Sequence, residues 1–403
     1  MATASTSASR GRARRSSLPS EPNLLASIYA RGATAAQLTD EALLQAMLDV
    51  EGALASACAG EGLITAGAAE AIAAACVVAN FDSHALARET AMHATPVVGL
   101  VEALREVVGE PYARDVHAGA TSQDIIDTAL MLIAARALVP LLADSAAAAD
   151  TAASLATAHR GTPMVARTLL QQALPITFGL RAANWLVGLD AANARLEGIR
   201  KSELAVQMGG PVGARPPAIA ARVATELGLA EPVLPWQAIR VRPAALAAGL
   251  GALAGVLGKI ARDVTLFAQQ EVGEASEGAD PERGGSSAMA HKRNPVGAVS
   301  VLACTKRVPG LVASTFELME QEHERAAGAW QAEWGVHLEL LGLVGSAAAW
   351  ARELLENLVL HPARMQANLD RLADSGVGGA RLTAEQLDAC KQLIDRALSE
   401  RAR

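Results

Sequence analysis

Between residues 246 and 267 apolar side chains recur at alternating spacings of four and three: Leu246, Leu250, Leu253, Leu257, Ile260, Val264 and Phe267. A seam this regular predicts one long helix through the middle of a bundle, within one chain or shared between subunits. Gly249, Gly251, Gly255 and Gly258 lie among these positions. Each lowers helix stability, and close approach of neighbouring helices is the compensation expected. Elsewhere the same periodicity predicts further helices. Thr39 or Asp40 caps the run "LTDEALLQAMLDVEGALASACAGEG", which stops at Gly60. Shorter helices fill 66–108, broken near Asn80 and Pro96. Longer ones are expected over 125–144, 140–159, 175–201, 296–308, 312–326 and 332–358. Runs of β-branched and aromatic residues are scarce, so the expectation is an all-α chain. The polar breaks divide it into an irregular tail (1–22), an N-terminal helical domain (23–115), a central helical bundle (116–360) with a loop at 283–295, and a short C-terminal helical segment (361–403).

Composition sharpens this picture. Hydrophobic residues make up 51% of the 403 and aromatic residues only 3%, so the core must be built from Ala, Leu, Val and Ile. The net charge of −7 argues against nucleic acid as a partner. An anionic small substrate would then need a locally basic pocket. Cys58, Cys76, Cys304 and Cys390 are far apart and form no CxxC, which indicates neither zinc nor a redox motif and fits a reducing cytoplasm. No uninterrupted apolar run reaches the ~18 residues of a membrane span. The first 20 residues carry Arg10, Arg12, Arg14 and Arg15 and no acid. That composition is like a transit peptide, but with little apolar periodicity it reads as a disordered tail.

Three polar islands interrupt the apolar helices, at 116–124, 167–172 and 283–294. They fall in loops or at expected helix starts, where free N–H groups favour carboxylates. Thr121, Ser122, Thr168, Ser286 and Ser287 offer hydroxyl donors; His117, Arg167, Lys292 and Arg293 offer charge. Together they can bind a carboxylate without a metal or cofactor. In "GGSSAMAHKRNP" a serine whose alkoxide is stabilised by backbone amides and a nearby lysine can remove a proton next to a carboxylate, and the loop can close over the reaction. Residue types alone also allow a solvated turn there. His84, His93, His159 and His337 have no metal-ligand spacing and are expected at the surface or hydrogen-bonded. "QEHERAAGAWQAEW" reads as an amphipathic helix surface, although Trp330 and Trp334 share a face.

The loop "GGSSAMAHKRNP" resembles the GSSxMPxKxNP signature of the fumarase/aspartase superfamily. "VHAGATSQDIIDTAL" and "ARTLLQQALPITFG" resemble its first and second conserved regions. With "GKIARDVTLFAQQEVGEASE" and "QEHERAAGAWQAEW", the chain is most similar to the carboxymuconate cycloisomerase branch, with the adenylosuccinate-lyase pattern next; the resemblance spans 38–369, and "LDACKQLIDRAL" extends it at the end. It implies a three-domain helical subunit, a homotetramer around a twenty-helix core, and active sites where three subunits meet. The reaction it implies interconverts 3-carboxy-cis,cis-muconate and 4-carboxymuconolactone in protocatechuate breakdown through an enolate-like intermediate. By resemblance, Ser286 is the base, Lys292 and Asn294 hold the substrate carboxylate, Thr121 and Ser122 contact it, His117 matches a histidine of the adenylosuccinate-lyase-like branch, and Thr168 and Gln171 match the second region. Three positions depart from the pattern: Ala290 replaces a proline, Leu169 a histidine common among the lyases, and Gln237 the histidine of PWH. The C-terminal domain is shortened between Leu369 and Leu387. Two alternatives remain at this point: a fumarate-releasing lyase acting on a substituted succinate, and an inactive helical scaffold.

Overall fold

The computed structural model describes residues 24–278, 283–286, 288–289, 291–374 and 381–402. The expected tail at 1–22, Ser287 and Ala290 lie outside the described residues. Twelve α-helices are present among the described residues: α1 (Asp40–Gly60), α2 (Ala66–Ala75), α3 (Ser83–His93), α4 (Val97–Val108), α5 (Ser122–Ala158), α6 (Phe178–Ser202), α7 (Pro217–Leu227), α8 (Val241–Phe267), α9 (Val296–Glu317), α10 (Ala329–Glu356), α11 (Pro362–Asp374) and α12 (Ala384–Arg401). Five of them form the bundle: α5 lies against α6 and α10, α8 against α6, α9 and α10, and α9 against α10. Helices α1, α2 and α7 pack together beside one side of α5, and α12 lies along α6.

The seam on α8 faces the core along its whole length: Leu250, Leu253, Leu257, Ile260 and Val264 have no exposed surface, and Leu246 and Phe267 are buried. The glycines among them let neighbours come close. A Cβ at Gly249 would lie 2.5 Å from Ile199 of α6, and one at Gly258 would lie 3.0 Å from Thr305 of α9.

The all-α expectation needs correction in two places. Strands β1 (Pro163–Thr168) and β2 (Gln171–Thr177) form an antiparallel hairpin between α5 and α6, and β3 (Ala275–Glu277) pairs antiparallel with β4 (Leu358–Leu360). The helix expected over 175–201 therefore begins only at Phe178, where Thr177 caps it through Leu180 N–H at 3.2 Å. The break expected at Pro140 is absent, and α5 runs unbroken for 37 residues. Proline removes one helical hydrogen bond. Here the carbonyl that loses its partner belongs to exposed Arg136, while Leu138 and Leu141 are wholly buried on the packed face. Pro309 is likewise exposed within α9. That helix ends at Glu317, so residues 318–326, expected as helix, lie in a loop that runs to 328.

Helices α1, α5, α8 and α9 are long and apolar enough by length and composition to cross a membrane. Single polar residues hide this length from a search for uninterrupted apolar runs. For α5, most of the apolar stretch is buried within the fold.

Candidate active site

The first island sits at the start of α5. Thr121 precedes the helix, its N–H donating to Asp124 Oδ2 at 3.1 Å. Asp124 has no exposed surface and also accepts from the N–H groups of Gly209 and Gly210, both at 2.9 Å, and from Gln207 Nε2 at 3.2 Å. Burial pushes its carboxyl up, against the opposing pull of these donors. The "GGPVGARPPA" loop is thereby fastened to the N-terminus of α5. Thr121 Oγ1 accepts from Arg325 Nη2 at 2.6 Å. Ser122 is half-buried beside it. His117, in a left-handed conformation (φ +63°), places Nδ1 2.6 Å from Glu51 Oε1 of α1.

The second island is the hairpin tip. Thr168 and Gln171 are the last cross-strand pair, both exposed. Leu169 and Leu170 form the two-residue turn with φ of +49° and +65°, and Leu169 is 95% exposed. Turns with both central residues left-handed normally take Asn or Gly. Arg167 does not contribute free charge, contrary to expectation. Its guanidinium is bidentate to the buried carboxylate of Glu274 at 2.8 Å on each arm, and Asn368 completes that site.

The third island is closed at its neck. Gly284 and Asn294 meet through Asn294 N–H to Gly284 O (2.8 Å) and Asn294 Nδ2 to the same oxygen (3.1 Å). Gly284 is left-handed (φ +73°), and a Cβ there would lie 2.3 Å from Asn294 O, so only glycine fits. The Asn294 amide thus holds the loop shut through one of its donors. Arg283 anchors the entry by pairing with Glu353, a carboxylate shared with Arg31, and by lying over the Trp350 ring. Within the loop Ser286 Oγ accepts from the N–H groups of Ala288 (3.3 Å) and Met289 (3.2 Å). Lys292 is exposed. Beyond the neck, Glu277 takes the first N–H groups of α9, from Gly297 and Ala298, at 2.9 and 2.8 Å. A cavity of about 490 Å³ lies alongside, lined by residues that include Glu277, Arg283, His291 and Asn294 but none from 117–122 or 168–171. Neither of the other two islands contributes to that cavity.

Behind the first island lies a buried charge cluster absent from the sequence reading. Arg240 is 2% exposed; it binds Asp127 at 2.7 and 3.1 Å and Glu333 at 2.5 to 3.1 Å. Trp330 Nε1 donates to Asp127 at 3.0 Å and Gln321 Nε2 to Glu333 at 3.0 Å. Gln237, the departure from PWH, is buried: its Nε2 donates to Glu324 O at 2.9 Å, and its Oε1 accepts from Gln207 at 3.2 Å. It ties the 318–328 loop, and with it Arg325, to the "GGPVGARPPA" loop. Arg325 is the functional candidate that sequence reasoning missed, because the residues around it were assigned to a helix surface. His337 also departs from expectation. It is 3% exposed, and neither ring nitrogen has a hydrogen-bond partner among the described residues. Among the described residues no group of three His, Cys, Asp or Glu is placed to hold a metal ion.

The helical bundle and the glycine-necked serine loop define a class, and residues 29–310 match the lyase family model. The chain belongs to this family, within the fumarase/aspartase superfamily. It is 45% identical to the 3-carboxy-cis,cis-muconate cycloisomerase of Bradyrhizobium diazoefficiens, over 86% of this chain and 79% of that one. It is 41% identical to the nitrosuccinate lyase of Streptomyces davaonensis, over 92% of this chain and 80% of the other. The crystal structure of 3-carboxy-cis,cis-muconate lactonizing enzyme from Pseudomonas putida superimposes with a TM-score of 0.82 at 38% identity, covering 94% of this chain and 88% of that one.

Proposed function

We propose that the protein interconverts 3-carboxy-cis,cis-muconate and 4-carboxymuconolactone, as a step of protocatechuate catabolism and without a cofactor. The observation that carries this reading is the Ser286 loop, with two backbone N–H groups on Oγ and an exposed Lys292 in the same loop, in a chain 45% identical to a cycloisomerase. Towards muconate, Ser286 removes the proton next to a carboxylate. The electron pair passes into that carboxylate as an enolate, and the lactone C–O bond then breaks. In the lactonising direction the C–O bond forms first and the carbon takes the proton back, so the reaction is an isomerisation with no co-reactant. The amides on Ser286 favour its alkoxide, and the enolate needs donors already in place. Lys292, Asn294, Thr121, Ser122, Thr168 and Gln171 are those donors in this reading, Arg325 joins them through Thr121, and His117 is the second catalytic group.

The cavity beside the third island takes in neither of the other two, which supports a site built from several subunits. Two leucines held left-handed in water at the hairpin tip are costly in strain and exposure; insertion into a neighbouring chain relieves the exposure. An apolar groove of about 830 Å³ between α8 and α9, beside Gly255, offers a face for the same assembly. Five bundle helices per chain make twenty in a homotetramer. The domain division at 116 and 360 follows this arrangement. The four cysteines are buried and unpaired, as a reducing cytoplasm allows.

A second reading, β-elimination from a nitrosuccinate-type substrate, is favoured by one observation: the nitrosuccinate lyase aligns over 92% of this chain, more than the 86% of the cycloisomerase. Turnover of carboxymuconate, nitrosuccinate, adenylosuccinate and argininosuccinate, followed by ultraviolet absorbance, separates the two. Carboxymuconate turnover is expected, and activity on a succinate derivative alone overturns the first reading. Co-refolding a Ser286→Ala chain with a Thr121→Ala chain tests the shared site. Recovered activity in verified mixed tetramers is expected, and its absence refutes sharing.

A further inference from the structure

The carboxylate of Glu51 is in an unusual position. Its side chain has no exposed surface, and Oε2 has no hydrogen-bond partner among the described residues. The guanidinium nearby, Arg215, is directed instead to Ala118 O (2.8 Å) and Cys58 Sγ (3.1 Å). Among the described residues Oε1 of Glu51 meets His117 Nδ1, at 2.6 Å. A buried carboxylate is costly unless it is paired and hydrogen-bonded, so a chain that keeps one against a single ring does so at the expense of stability. The ring itself is held in a strained state: His117 is left-handed at φ +63°, and Ala120 N–H turns back to its carbonyl at 3.2 Å. Strain of this kind persists only where the surroundings over-determine it, and it gathers at functional sites. The His117 side chain is 15% exposed, so the face away from Glu51 is open.

We propose that Glu51 is the positioning residue of His117. Its carboxylate accepts the Nδ1 proton, fixes the tautomer and ring orientation, and leaves Nε2 as the atom presented to substrate. The same contact stabilises the imidazolium whenever Nε2 takes up a proton. This rests on the reading of His117 as a group of the carboxylate site. It adds a proton-handling unit, contributed by α1 and the segment before α5, that is distinct from the Ser286 loop.

The test is Glu51→Gln in the full chain, since the amide is close to isosteric and can donate to Nδ1, which favours the opposite tautomer. The first readout is the tautomer itself, by solid-state nitrogen NMR of protein labelled at histidine, with His117→Gln assigning the signal. Wild type should carry the proton on Nδ1; Glu51→Gln should lose that preference, and Glu51→Asp should keep it. The second readout is kinetic. In Glu51→Gln, kcat should fall at least about tenfold, within the 10²–10⁴ that a positioned acid or base supplies. KM should stay within about threefold, as for an interaction made mainly in the transition state. Tm should be unchanged or higher, because a purely structural contact would lower it. An Nδ1 proton unmoved by Glu51→Gln, or a fall in kcat that follows a fall in Tm, overturns the proposal. If wild type does not turn over carboxymuconate, the functional reading fails while the tautomer still decides the dyad.

Discussion

Replacing His337 by leucine should flatten the acid limb of the stability curve. The ring is buried on α10, and its Nε2 lies 3.9 Å from Glu333 Oε2, beyond hydrogen-bond reach. Burial, reinforced by the nearby Arg240 charge, pushes its imidazole down to about 4 from an ordinary 6.5. Above pH 6.5 the ring is neutral in both folded and unfolded chains. As pH falls from 6.5 towards 4 the unfolded chain binds a proton that the folded ring refuses, so stability is lost across that window; below 4 both bind it and the loss stops growing. Integrated from pH 7.5 to 4.5, this one group removes about 2.5 kcal/mol. Asp124 and Glu333 act in the opposite sense. Burial pushes both carboxyls up, so each contributes stability at low pH that is lost as pH rises through its folded value. The total curve therefore mixes signs, and only the difference between wild type and His337→Leu isolates the ring. Urea unfolding at fixed protein concentration, at pH 7.5 and 4.5, measures it. The variant should lie within about 1 kcal/mol of wild type at pH 7.5, because no hydrogen bond is broken. It should exceed wild type by about 2 kcal/mol or more at pH 4.5. Equal pH dependence in the two proteins would refute the argument and mean that the ring is protonated within the fold.

Ser286→Ala should lower kcat by about 10²–10⁴ with little change in KM, as expected for removal of a base; wild-type kcat in the variant removes Ser286 from the chemistry. Lys292→Ala should weaken both kcat and KM, whereas Arg293→Ala should be milder, and equal effects in steady-state kinetics would mean that the loop has been read in the wrong register. Arg240→Ala leaves Asp127 and Glu333 as facing buried carboxylates and should destabilise by about 3–5 kcal/mol, measured by urea unfolding at pH 7.5; a loss under 1 kcal/mol would show that the cluster relaxes or is solvated.

The parts of this protein that sequence conveyed are those set by short-range rules. The α8 seam is visible because its spacing of four and three is a property of the helix itself, and Thr39 announces α1 because a cap is a contact between near neighbours. Where short-range rules misled, tertiary packing had overridden them. Pro140 and Pro309 stop isolated helices, but each lies toward the outside of a helix whose other side is locked in the bundle. The β1–β2 hairpin gave no turn signal, since its two turn residues are leucines in a conformation that glycine or asparagine usually takes. Residues 318–326 read as helix because their charges alternate as they would on a solvated face, and the left-handed His323 (φ +49°) leaves no mark in a sequence.

The same distinction explains which site residues were legible. The islands stood out because hydroxyl and basic residues gather there between long Ala- and Leu-rich runs. What each residue pairs with did not, because the partners are distant in sequence: Arg167 with Glu274, Arg240 with Asp127, Gln237 with Glu324, His117 with Glu51. These pairings sort candidates by what surrounds them. Arg167 is bound on both arms to an acid that has no exposed surface, so its charge is neutralised before any substrate arrives. Lys292 is exposed at the end of a loop whose neck is fixed by Gly284 and Asn294, so its charge remains available to an anion. Asp124, Asp127, Glu274 and Glu333, by contrast, are buried and matched to donors. They hold in place the loops around them, as Asp124 does for Gly209 and Gly210 and Glu274 for Arg167.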